Sequence, residues 1–251
     1  MAEPAEILAA IERHFGAASA DPPSAVRSSS ALAGMHILIT TGPTHEPIDP
    51  VRYLANRSSG KQGAAIASEA AALGARVTLV TGPTQVADPA GVDTVHIQSA
   101  REMLDAVRSA LPADIAVFAA AVADWGVASA ADQKIKKSPG GSAPKLDLVE
   151  NPDILRTIAA AGARRPCLII GFAAETENVI EHARKKRAAK GADWIVANDV
   201  SPGTGVLGGD ENTVHLVTEM GVETWPRQSK GEVARKLVER AAAFLCSSKT
   251  T

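Results

Sequence analysis

The feature that most constrains the fold is a series of short apolar runs that alternate with helical segments. The runs are rich in valine, isoleucine, leucine and alanine at successive positions, a composition typical of strands that are buried on both faces. They predict strands at Ile37–Thr40, Arg76–Thr81, Thr94–Ile97, Asp114–Ala121, Pro166–Phe172 and Asp193–Ala197. Strands separated by single helices form a parallel sheet with right-handed crossovers. The chain therefore predicts an α/β protein with a Rossmann-like three-layer fold.

Helices are predicted in the intervals between these strands, and two of them begin with a Ser-x-x-Glu capping box. They are expected at Lys61–Leu73, Ser99–Leu111, after Asn151-Pro152-Asp153, at Thr176–Lys190 and from Ser229 to Phe244 or beyond. Thr213–Thr218 and Val222–Trp225, joined around Gly221, have the pattern of a β-hairpin. We therefore expect a mainly parallel sheet with an added β-hairpin.

The first 34 residues differ in composition from the rest of the chain. Residues 2–15 carry apolar side chains at helical spacing, whereas residues 16–34 are rich in alanine, serine and proline. Residues 1–34 are therefore predicted to be a short helix and a flexible linker. The nucleotide-binding domain is predicted to comprise residues 35–251, which leaves enough apolar chain for a substantial core.

Composition argues against several classes of partner. A net charge of -2 and a pI near 6.3 give no basic surface for nucleic acid, and 3% aromatic residues leave little material for base stacking. No apolar run reaches the ~20 residues of a membrane span, and no signal peptide opens the chain. Cys167 and Cys246 lie far apart and lack metal-ligand spacing. We therefore expect a cytoplasmic protein with no nucleic-acid or membrane partner.

The stretch from Met35 to Gly63 predicts an anion-binding loop. A strand ends at Gly42-Pro43, a polar loop follows, and Ser58-Ser59-Gly60-Lys61 precedes a helix. Hydroxyls, backbone N–H groups and a cation at a helix N-terminus are suited to an oxyanion such as phosphate. The stretch has neither the Walker A pattern nor G-x-G-x-x-G, so an ordinary helix cap remains the alternative.

Lysines later in the chain supply further candidates for phosphate binding. Lys134-Ile135-Lys136-Lys137 lies in a long irregular segment, from which a lysine can approach a polyphosphate. Lys186 and Lys190 are one helical turn apart and share a face near a helix C-terminus. The alternatives are a solvated charge run and a favourable interaction with the helix dipole. Asp124 and Asp153 are the acids best positioned for a ribose or a metal ion.

Seven short motifs occur in order along the chain. They are Gly42-Pro43-Thr44, Asp49-Pro50-Val51-Arg52, Asn56-Arg57-Ser58-Ser59-Gly60-Lys61, Ala119-Ala120-Ala121-Val122-Ala123-Asp124, Lys134-Ile135-Lys136-Lys137, Asn151-Pro152-Asp153-Ile154 and Gly171-Phe172-Ala173-Ala174-Glu175-Thr176. Together they closely resemble the phosphopantothenate–cysteine ligase domain of bacterial coenzyme A biosynthesis. The resemblance covers about Met35 to Leu245. One such motif would be a weak signal, whereas seven in this order are highly specific.

The resemblance implies a ligase that joins 4'-phosphopantothenate to L-cysteine. CTP is expected to activate the carboxylate as an acyl-cytidylate with release of pyrophosphate. The amine of cysteine then displaces CMP and gives phosphopantothenoylcysteine. CTP is thus the expected co-substrate, and Mg²⁺ is expected to bridge its phosphate oxygens.

The resemblance also implies roles for individual residues. Asn56 is expected to hold the acyl intermediate and assist the second step, because an amide can donate to a developing oxyanion without changing its protonation state. Lys134 is expected to act on the triphosphate in the first step, and Arg52 to lie near phosphopantothenate. The expected nucleotide-binding residues include those of the anion-binding loop. They are Gly42, Ser58, Ser59, Gly60, Phe118, Ala119, Ala120, Asp124, Lys134, Pro152, Asp153, Ile154, Leu155, Phe172, Lys186 and Lys190. Metal ligands stay unassigned.

The resemblance further implies a homodimer, in which the predicted hairpin is suited to reach the second copy. Relatives are usually fused to a flavin-dependent phosphopantothenoylcysteine decarboxylase, and residues 1–34 look like the end of such a half, which is otherwise absent here. Two other functions stay open, an NAD(P)-dependent Rossmann dehydrogenase and a non-catalytic nucleotide-binding module. The dehydrogenase is disfavoured because the glycine fingerprint is missing and Tyr53 is the only tyrosine.

Overall fold

The computed structural model describes residues 31–136, 144–206 and 208–248. Within them, a large eight-stranded sheet is accompanied by two small two-stranded sheets. The strands are β1 (His36–Thr41), β2 (His45–Asp49), β3 (Arg52–Ala55), β4 (Arg76–Thr81), β5 (Asp93–His96), β6 (Ile115–Phe118), β7 (Trp125–Val127), β8 (Leu148–Glu150), β9 (Leu168–Glu175), β10 (Trp194–Asp199), β11 (Glu211–Val217) and β12 (Val222–Ser229). The helices are α1 (Lys61–Ala72), α2 (Ala100–Ser109), α3 (Ile154–Ala159), α4 (Val179–Lys190) and α5 (Lys230–Ser248), with a 3₁₀ turn at Gly162–Arg164.

Six strands of the large sheet are parallel and lie in the order β5-β4-β1-β6-β9-β10. The chain builds outward on one side of β1 and then returns to build on the other side, which is the strand order of the Rossmann fold. The connections that leave β1 and β6 therefore diverge and open a crevice at the carboxyl ends of these strands. The prediction of a Rossmann-like fold with a mainly parallel sheet is confirmed.

The two faces of the sheet are covered by different helices. One face packs against α1 and α5, with Ile66 and Leu237 from these helices meeting Ile39 of β1. The opposite face packs against α2, α3 and α4, which contribute side chains such as Met103 and Ile158. Because β1, β4, β6, β9 and β10 are buried on both faces, their sequences are nearly continuous apolar runs, and this is why the sequence predicts them well.

Several predicted boundaries need correction at the carboxyl edge of the sheet. The strand predicted to end at Ala121 ends at Phe118, because its regular pairing with β1 stops there and only an isolated bridge between Pro43 and Ala121 follows. β9 continues three residues beyond its predicted end at Phe172, because it stays paired with β10 as far as Glu175. The edge where ligands bind is therefore shaped by long-range pairing.

The predicted hairpin is present as β11 and β12, but it belongs to the large sheet. β11 pairs antiparallel with β10, and β12 forms the edge. Val214, Leu216 and the fully buried Trp225 pack against α5 in the core of that face. The hairpin therefore extends the sheet and does not project from it.

Two short hairpins occupy segments for which the sequence predicts only irregular structure. β2 and β3 pair within the loop after β1, whereas β7 and β8 pair the two ends of the long irregular segment. These strands are short and contain proline, glycine or charged residues, so their alternation is too weak to predict a strand. Contacts between β2 and β7 bring the two hairpins together.

The packed part of the chain begins by Leu32, within the predicted linker. Leu32 is 1% exposed, lies in the core beneath α1, and its N–H donates to the Leu73 carbonyl at 3.1 Å. The predicted helix and the rest of the linker, residues 1–30, lie outside the described residues. Among the described helices, none is long and apolar enough to cross a membrane.

Replacing Gly82 with alanine is expected to destabilise the fold strongly. A β-carbon at this position would lie 1.7 Å from the Pro43 carbonyl oxygen, a backbone atom that cannot rotate away. Overpacking typically lowers the free energy of unfolding by about 1–3 kcal/mol, and we expect a loss near the upper end of this range. Urea unfolding measures it. Gly231→Ala is the control, because its β-carbon would meet only the Ser229 hydroxyl at 3.9 Å. Equal stabilities of the two variants would contradict this reading of the Gly82 contact.

Candidate active site

A cavity of about 790 Å³ lies where the strand order reverses, at the carboxyl ends of β1 and β6. Its walls come from Thr40 and Thr41, the start of α1, the β6–β7 connection, the start of α3 and the C-terminal half of α4. The beginnings of β11 and α5 contribute Asn212 and Lys230. Parallel α/β sheets bind their ligands at this position. The cavity is therefore the candidate active site.

Most of the predicted site residues line this cavity. They are Asn56, Ser58, Ser59, Gly60, Phe118, Ala119, Ala120, Asp124, Pro152, Asp153, Ile154, Leu155, Phe172, Lys186 and Lys190. Gly42, Arg52 and Lys134 do not line it. A separate open groove of about 470 Å³ between α4 and β11 contains none of the predicted site residues.

The start of α1 is held against β1 with its first N–H groups uncapped. The Thr41 hydroxyl donates to the Gly60 carbonyl at 2.9 Å, and none of the described side chains caps the helix. The N–H of Ala64 is the first to bond within the helix, at 3.1 Å to Gly60. The N–H groups of residues 61–63 therefore have no partner inside the helix, which is the arrangement that binds anions.

Gly42 has a structural task next to the cavity. Its φ of 73° lies in the left-handed region, and a β-carbon there would come within 3.0 Å of the Gly82 carbonyl oxygen. The residue lets the loops after β1 and β4 approach each other. Its predicted contact with nucleotide is thus not favoured by this geometry.

The β6–β7 connection lines the cavity with Ala119 and Ala120. The N–H groups of Ala119 and Ala120 are engaged by the carbonyl and hydroxyl of Thr40, at 3.1 and 3.4 Å. Of these two backbone positions, only the carbonyl oxygens are therefore left for a ligand, and a carbonyl oxygen can accept a hydrogen bond from the exocyclic amine of a base.

Two asparagines brace this connection from opposite sides. Asn56 donates through Nδ2 to the Val122 carbonyl at 2.9 Å, and Asn151 donates to the Ala123 carbonyl, also at 2.9 Å. Asn56 is exposed to the cavity and directly follows β3. One of its two amide hydrogens is occupied by Val122, so the other can meet a ligand.

The lysines of α4 form a cationic wall. Lys190 Nζ lies 3.1 Å from Asp153 Oδ2, and the other carboxylate oxygen of Asp153 accepts the Arg156 N–H at the start of α3. Burial lowers the pKa of Lys186, and the charge of Lys190 lowers it further, whereas nearby carboxylates including Asp124 raise it. An anionic ligand would compensate the repulsion between the two ammonium groups.

Arg52 belongs to a clamp outside the cavity. It pairs with the buried carboxylate of Asp49, and its Nη2 also donates to the Ile135 carbonyl at 2.9 Å. The Ile135 N–H in turn donates to Asp49 Oδ2 at 3.1 Å. Both backbone groups of the residue after Lys134 are therefore fixed to the β2–β3 hairpin, while the Lys134 side chain is exposed.

Acid is expected to weaken this clamp. Hydrogen bonds from Arg52, and then from the N–H groups of Val51 and Ile135, hold the pKa of Asp49 well below its usual range, although burial opposes them. A lowered folded-state pKa contributes stability above the unfolded value of about 3.9, and this contribution is lost as the pH falls below that value.

Asp49→Asn should therefore lower the free energy of unfolding at pH 7, and its deficit should shrink below pH ~4. Denaturant unfolding of both proteins across this range is the measurement. Asp88→Asn is the control, because that carboxylate is half exposed in its pair with His96. A deficit that stays constant with pH would contradict the lowered pKa of Asp49.

Several cavity residues escape the sequence prediction. They are Gln62, Asn212 and Lys230, which carry no local signal, whereas Asn198 follows a predicted strand and is a polar residue expected at the crevice. Their direction depends on how the β11–β12 hairpin and α5 dock beside α1. In residues 31–136, 144–206 and 208–248, no three His, Cys, Asp or Glu side chains form a group that could hold a metal ion.

Comparison with known proteins relates this geometry to a family. Residues 32–245 match the family described as the DNA/pantothenate metabolism flavoprotein C-terminal domain. The chain belongs to this family. The resemblance predicted from the seven motifs is thereby confirmed.

Relatives of this family domain are bifunctional proteins. The chain is 42% identical over 239 residues to the coenzyme A biosynthesis bifunctional protein CoaBC of Haemophilus influenzae. The matched region covers 95% of this chain and 56% of that protein. It is 44% identical over 210 residues to the protein of the same name from Escherichia coli K12, covering 83% and 52% respectively. The chain thus spans about half the length of the relatives it matches.

Solved structures share the fold of this family domain. The crystal structure of the C-terminal domain of a CoaBC protein is 40% identical, with a TM-score of 0.73 over 87% of this chain and 100% of that one. A Cab2 mutant in complex with phosphopantothenate-cysteine is 18% identical, with a TM-score of 0.66 over 86% of this chain and 89% of that one. The second likeness concerns the fold alone.

Proposed function

We propose that the chain is a CTP-dependent ligase that joins 4'-phosphopantothenate to L-cysteine through an acyl-cytidylate, releasing pyrophosphate and CMP. The observation that carries the proposal is a single cavity that combines Asn56, the uncapped start of α1 and the lysines of α4. The names of the relatives, which refer to coenzyme A biosynthesis, support it. The Cab2 complex with phosphopantothenate-cysteine is consistent with it.

In the first step, the carboxylate of phosphopantothenate attacks the α-phosphorus of CTP and pyrophosphate leaves. Negative charge accumulates on the phosphate oxygens, so fixed cations and N–H groups lower the barrier. We propose that Lys186, Lys190 and the backbone N–H groups at the start of α1 supply this positive charge, and that Lys134 acts on the triphosphate. The carbonyl groups after Phe118 are proposed to accept the exocyclic amine of cytosine.

In the second step, the cysteine amine attacks the acyl carbon, the bond to CMP breaks, and the amine loses its proton to solvent. The carbonyl oxygen becomes an oxyanion in the intermediate. The free amide hydrogen of Asn56 is proposed to donate to that oxyanion. Arg52 is proposed to approach the phosphopantothenate side, from its position on the hairpin that leads into Asn56.

Mg²⁺ is proposed to accompany CTP. This ion usually binds through one or two carboxylates together with substrate phosphates and water. Asp124 is an exposed carboxylate on the cavity wall near Lys186, so it suits that role. When bound, the ion neutralises charge on the triphosphate.

The decisive assay measures CMP formed from CTP. We expect CMP only when phosphopantothenate and cysteine are both present, and pyrophosphate when phosphopantothenate is present without cysteine. Failure of the complete mixture to form CMP would sink the proposal. ATP and UTP in place of CTP measure the nucleotide preference, and binding of NADPH in place of CTP would favour the dehydrogenase alternative.

We also propose a homodimer, through a surface other than the predicted hairpin. The predicted hairpin lies within the large sheet, where β11 is paired on both sides and β12 is the edge strand. The two small hairpins instead expose the apolar side chains of Tyr53, Trp125 and Leu148. Exposed apolar patches of this kind mark protein contacts. Sedimentation of the protein and of Trp125→Ser tests this, since a monomeric wild type would remove the proposal.

The longer relatives support a second catalytic half beside domains of this kind. We propose that it is the flavin-dependent decarboxylase, which makes the ligase product its substrate. A cytoplasmic location is proposed because CTP is available there. Recovery of the protein in a membrane or secreted fraction would count against that location.

A further inference from the structure

One end of the cavity is built from side chains that the proposed mechanism does not use. Lys61 Nζ, on α1, lies 2.6 Å from Asp210 Oδ1, just before β11, and 3.3 Å from the Gly208 carbonyl. Lys230, the first residue of α5, donates through Nζ to the carbonyls of residues 206 and 209, and its own carbonyl accepts Nε2 of Gln62 at 3.0 Å. Three elements therefore converge on one polar corner.

This corner contains buried acceptors without partners. Asn212 is 4% exposed and lines the cavity, yet its Oδ1 has no hydrogen-bond partner among the described residues. Gln62 lines the cavity too, and its Oε1 is likewise without a partner in the described part of the chain. Buried polar atoms are normally satisfied, so two orphaned oxygens in one corner indicate a missing donor.

The same corner carries positive charge. Lys230 is 9% exposed, and burial together with the charge of Lys61 lowers the pKa of its ammonium group. The only acid paired with Lys61 among the described residues is Asp210, whose side chain is 84% exposed and can be displaced at little cost. The corner therefore also has room for an incoming anion.

We propose that this corner is the subsite for the amino-acid substrate, and this rests on the proposed ligase function. The carboxylate of cysteine binds between Lys61 and Lys230, and its amino group donates to the side-chain oxygens of Asn212 and Gln62. A phosphate group would satisfy the lysines but would leave both oxygens without donors. A molecule with an amine and a carboxylate on one carbon satisfies both halves, and a neutral amine ready for attack still has two N–H donors.

Asn212→Ala tests the proposed contact with the amino group of cysteine. We expect the KM for cysteine to rise about 10-fold or more, as for a lost hydrogen bond to a polar substrate group, with pyrophosphate release in the absence of cysteine unchanged. Gln228→Ala is the matched control, because Gln228 is the cross-strand neighbour of Asn212 and its Nε2 also lacks a partner among the described residues. Gln228 does not line the cavity, so its variant should keep the wild-type KM.

Three results would each overturn the subsite. The first is an unchanged KM for cysteine in Asn212→Ala, and the second is an equal rise of this KM in Asn212→Ala and Gln228→Ala. The third is slower pyrophosphate release in Asn212→Ala alone. The last result would indicate a triphosphate site. An inactive wild type would instead remove the ligase function itself, so the two failures are distinguishable. Thermal unfolding of both variants checks that the fold is retained.

Cysteamine, which lacks the carboxylate, tests the proposed contact of the cysteine carboxylate with Lys61 and Lys230. We expect the wild type to prefer cysteine, and Lys230→Met to reduce that preference about 10-fold by raising the KM for cysteine and not that for cysteamine. A preference that stays at the wild-type ratio would overturn the carboxylate contact. If Lys230→Met does not fold, Lys61→Met makes the same test from α1.

Discussion

Asn56→Ala is expected to release pyrophosphate from CTP and phosphopantothenate at nearly the wild-type rate. On addition of cysteine, its rate of CMP formation is expected to fall by about 100-fold or more. The reason is the position of the side chain. Asn56 directly follows β3, is exposed to the cavity, and uses one amide hydrogen on the Val122 carbonyl at 2.9 Å. The second hydrogen is free to meet the oxyanion that appears only in the transfer step. The measurement is a pair of assays, pyrophosphate without cysteine and CMP with it.

Asn151→Ala is the matched control for this prediction. Asn151 also lines the cavity and donates to the neighbouring Ala123 carbonyl, again at 2.9 Å. If Asn56 acted only by bracing the β6–β7 connection, both variants would slow the two steps in the same way. A transfer defect confined to Asn56→Ala supports donation to the oxyanion. Two intact steps in Asn56→Ala would remove this residue from the mechanism.

Lys134→Ala is expected to abolish pyrophosphate release, with a loss of about 100-fold or more, because a lysine on the triphosphate stabilises charge that develops as pyrophosphate leaves. Lys134 does not line the cavity, but the adjacent Ile135 is tied to the β2–β3 hairpin by Asp49 and Arg52. That hairpin runs directly into Asn56, so the clamp links the lysine to the cavity rim. The measurement is pyrophosphate release with CTP and phosphopantothenate.

Lys136→Ala provides the comparison, because Lys136 belongs to the same charged run and is exposed as well. We expect it to retain most of the activity. Normal pyrophosphate release in Lys134→Ala would make this lysine a surface residue. Equal losses in both variants would indicate a general electrostatic effect of the run and no specific contact.

The central layers of the fold could be predicted because their signals are local. The parallel strands inside the sheet are buried on both faces and are therefore apolar runs, whereas the edge strand β5 is largely exposed. The Ser99–Glu102 capping box at the start of α2 is formed as predicted. The small hairpins could not be predicted in this way. β2 contains a proline and β7 a glycine, and their pairing depends on neighbouring loops.

The anion-binding loop could also be predicted from neighbouring residues, but the roles of Gly42 and Arg52 could not. Gly42 has the strand-to-loop position of a phosphate-binding glycine, yet its conformation serves the close approach of Gly82. Arg52 has the charge expected near an anionic substrate, yet in the structure it is bound to Asp49 and to the Ile135 carbonyl. A sequence pattern gives the type of side chain available and not the partner it finds.

By itself, the sequence determined the layered α/β architecture, the family, and the loops at the carboxyl edge of the sheet that would carry the chemistry. Periodicity and motifs are properties of neighbouring residues, so they need no knowledge of the fold. Only the tertiary structure decided which polar groups meet. Lys61 and Asp210 are 149 positions apart in the chain, and their contact depends on the docking of the β11–β12 hairpin beside α1. The side-chain oxygens of Asn212 and Gln62, which have no partner among the described residues, became visible only there, because a missing partner is a property of the assembled site.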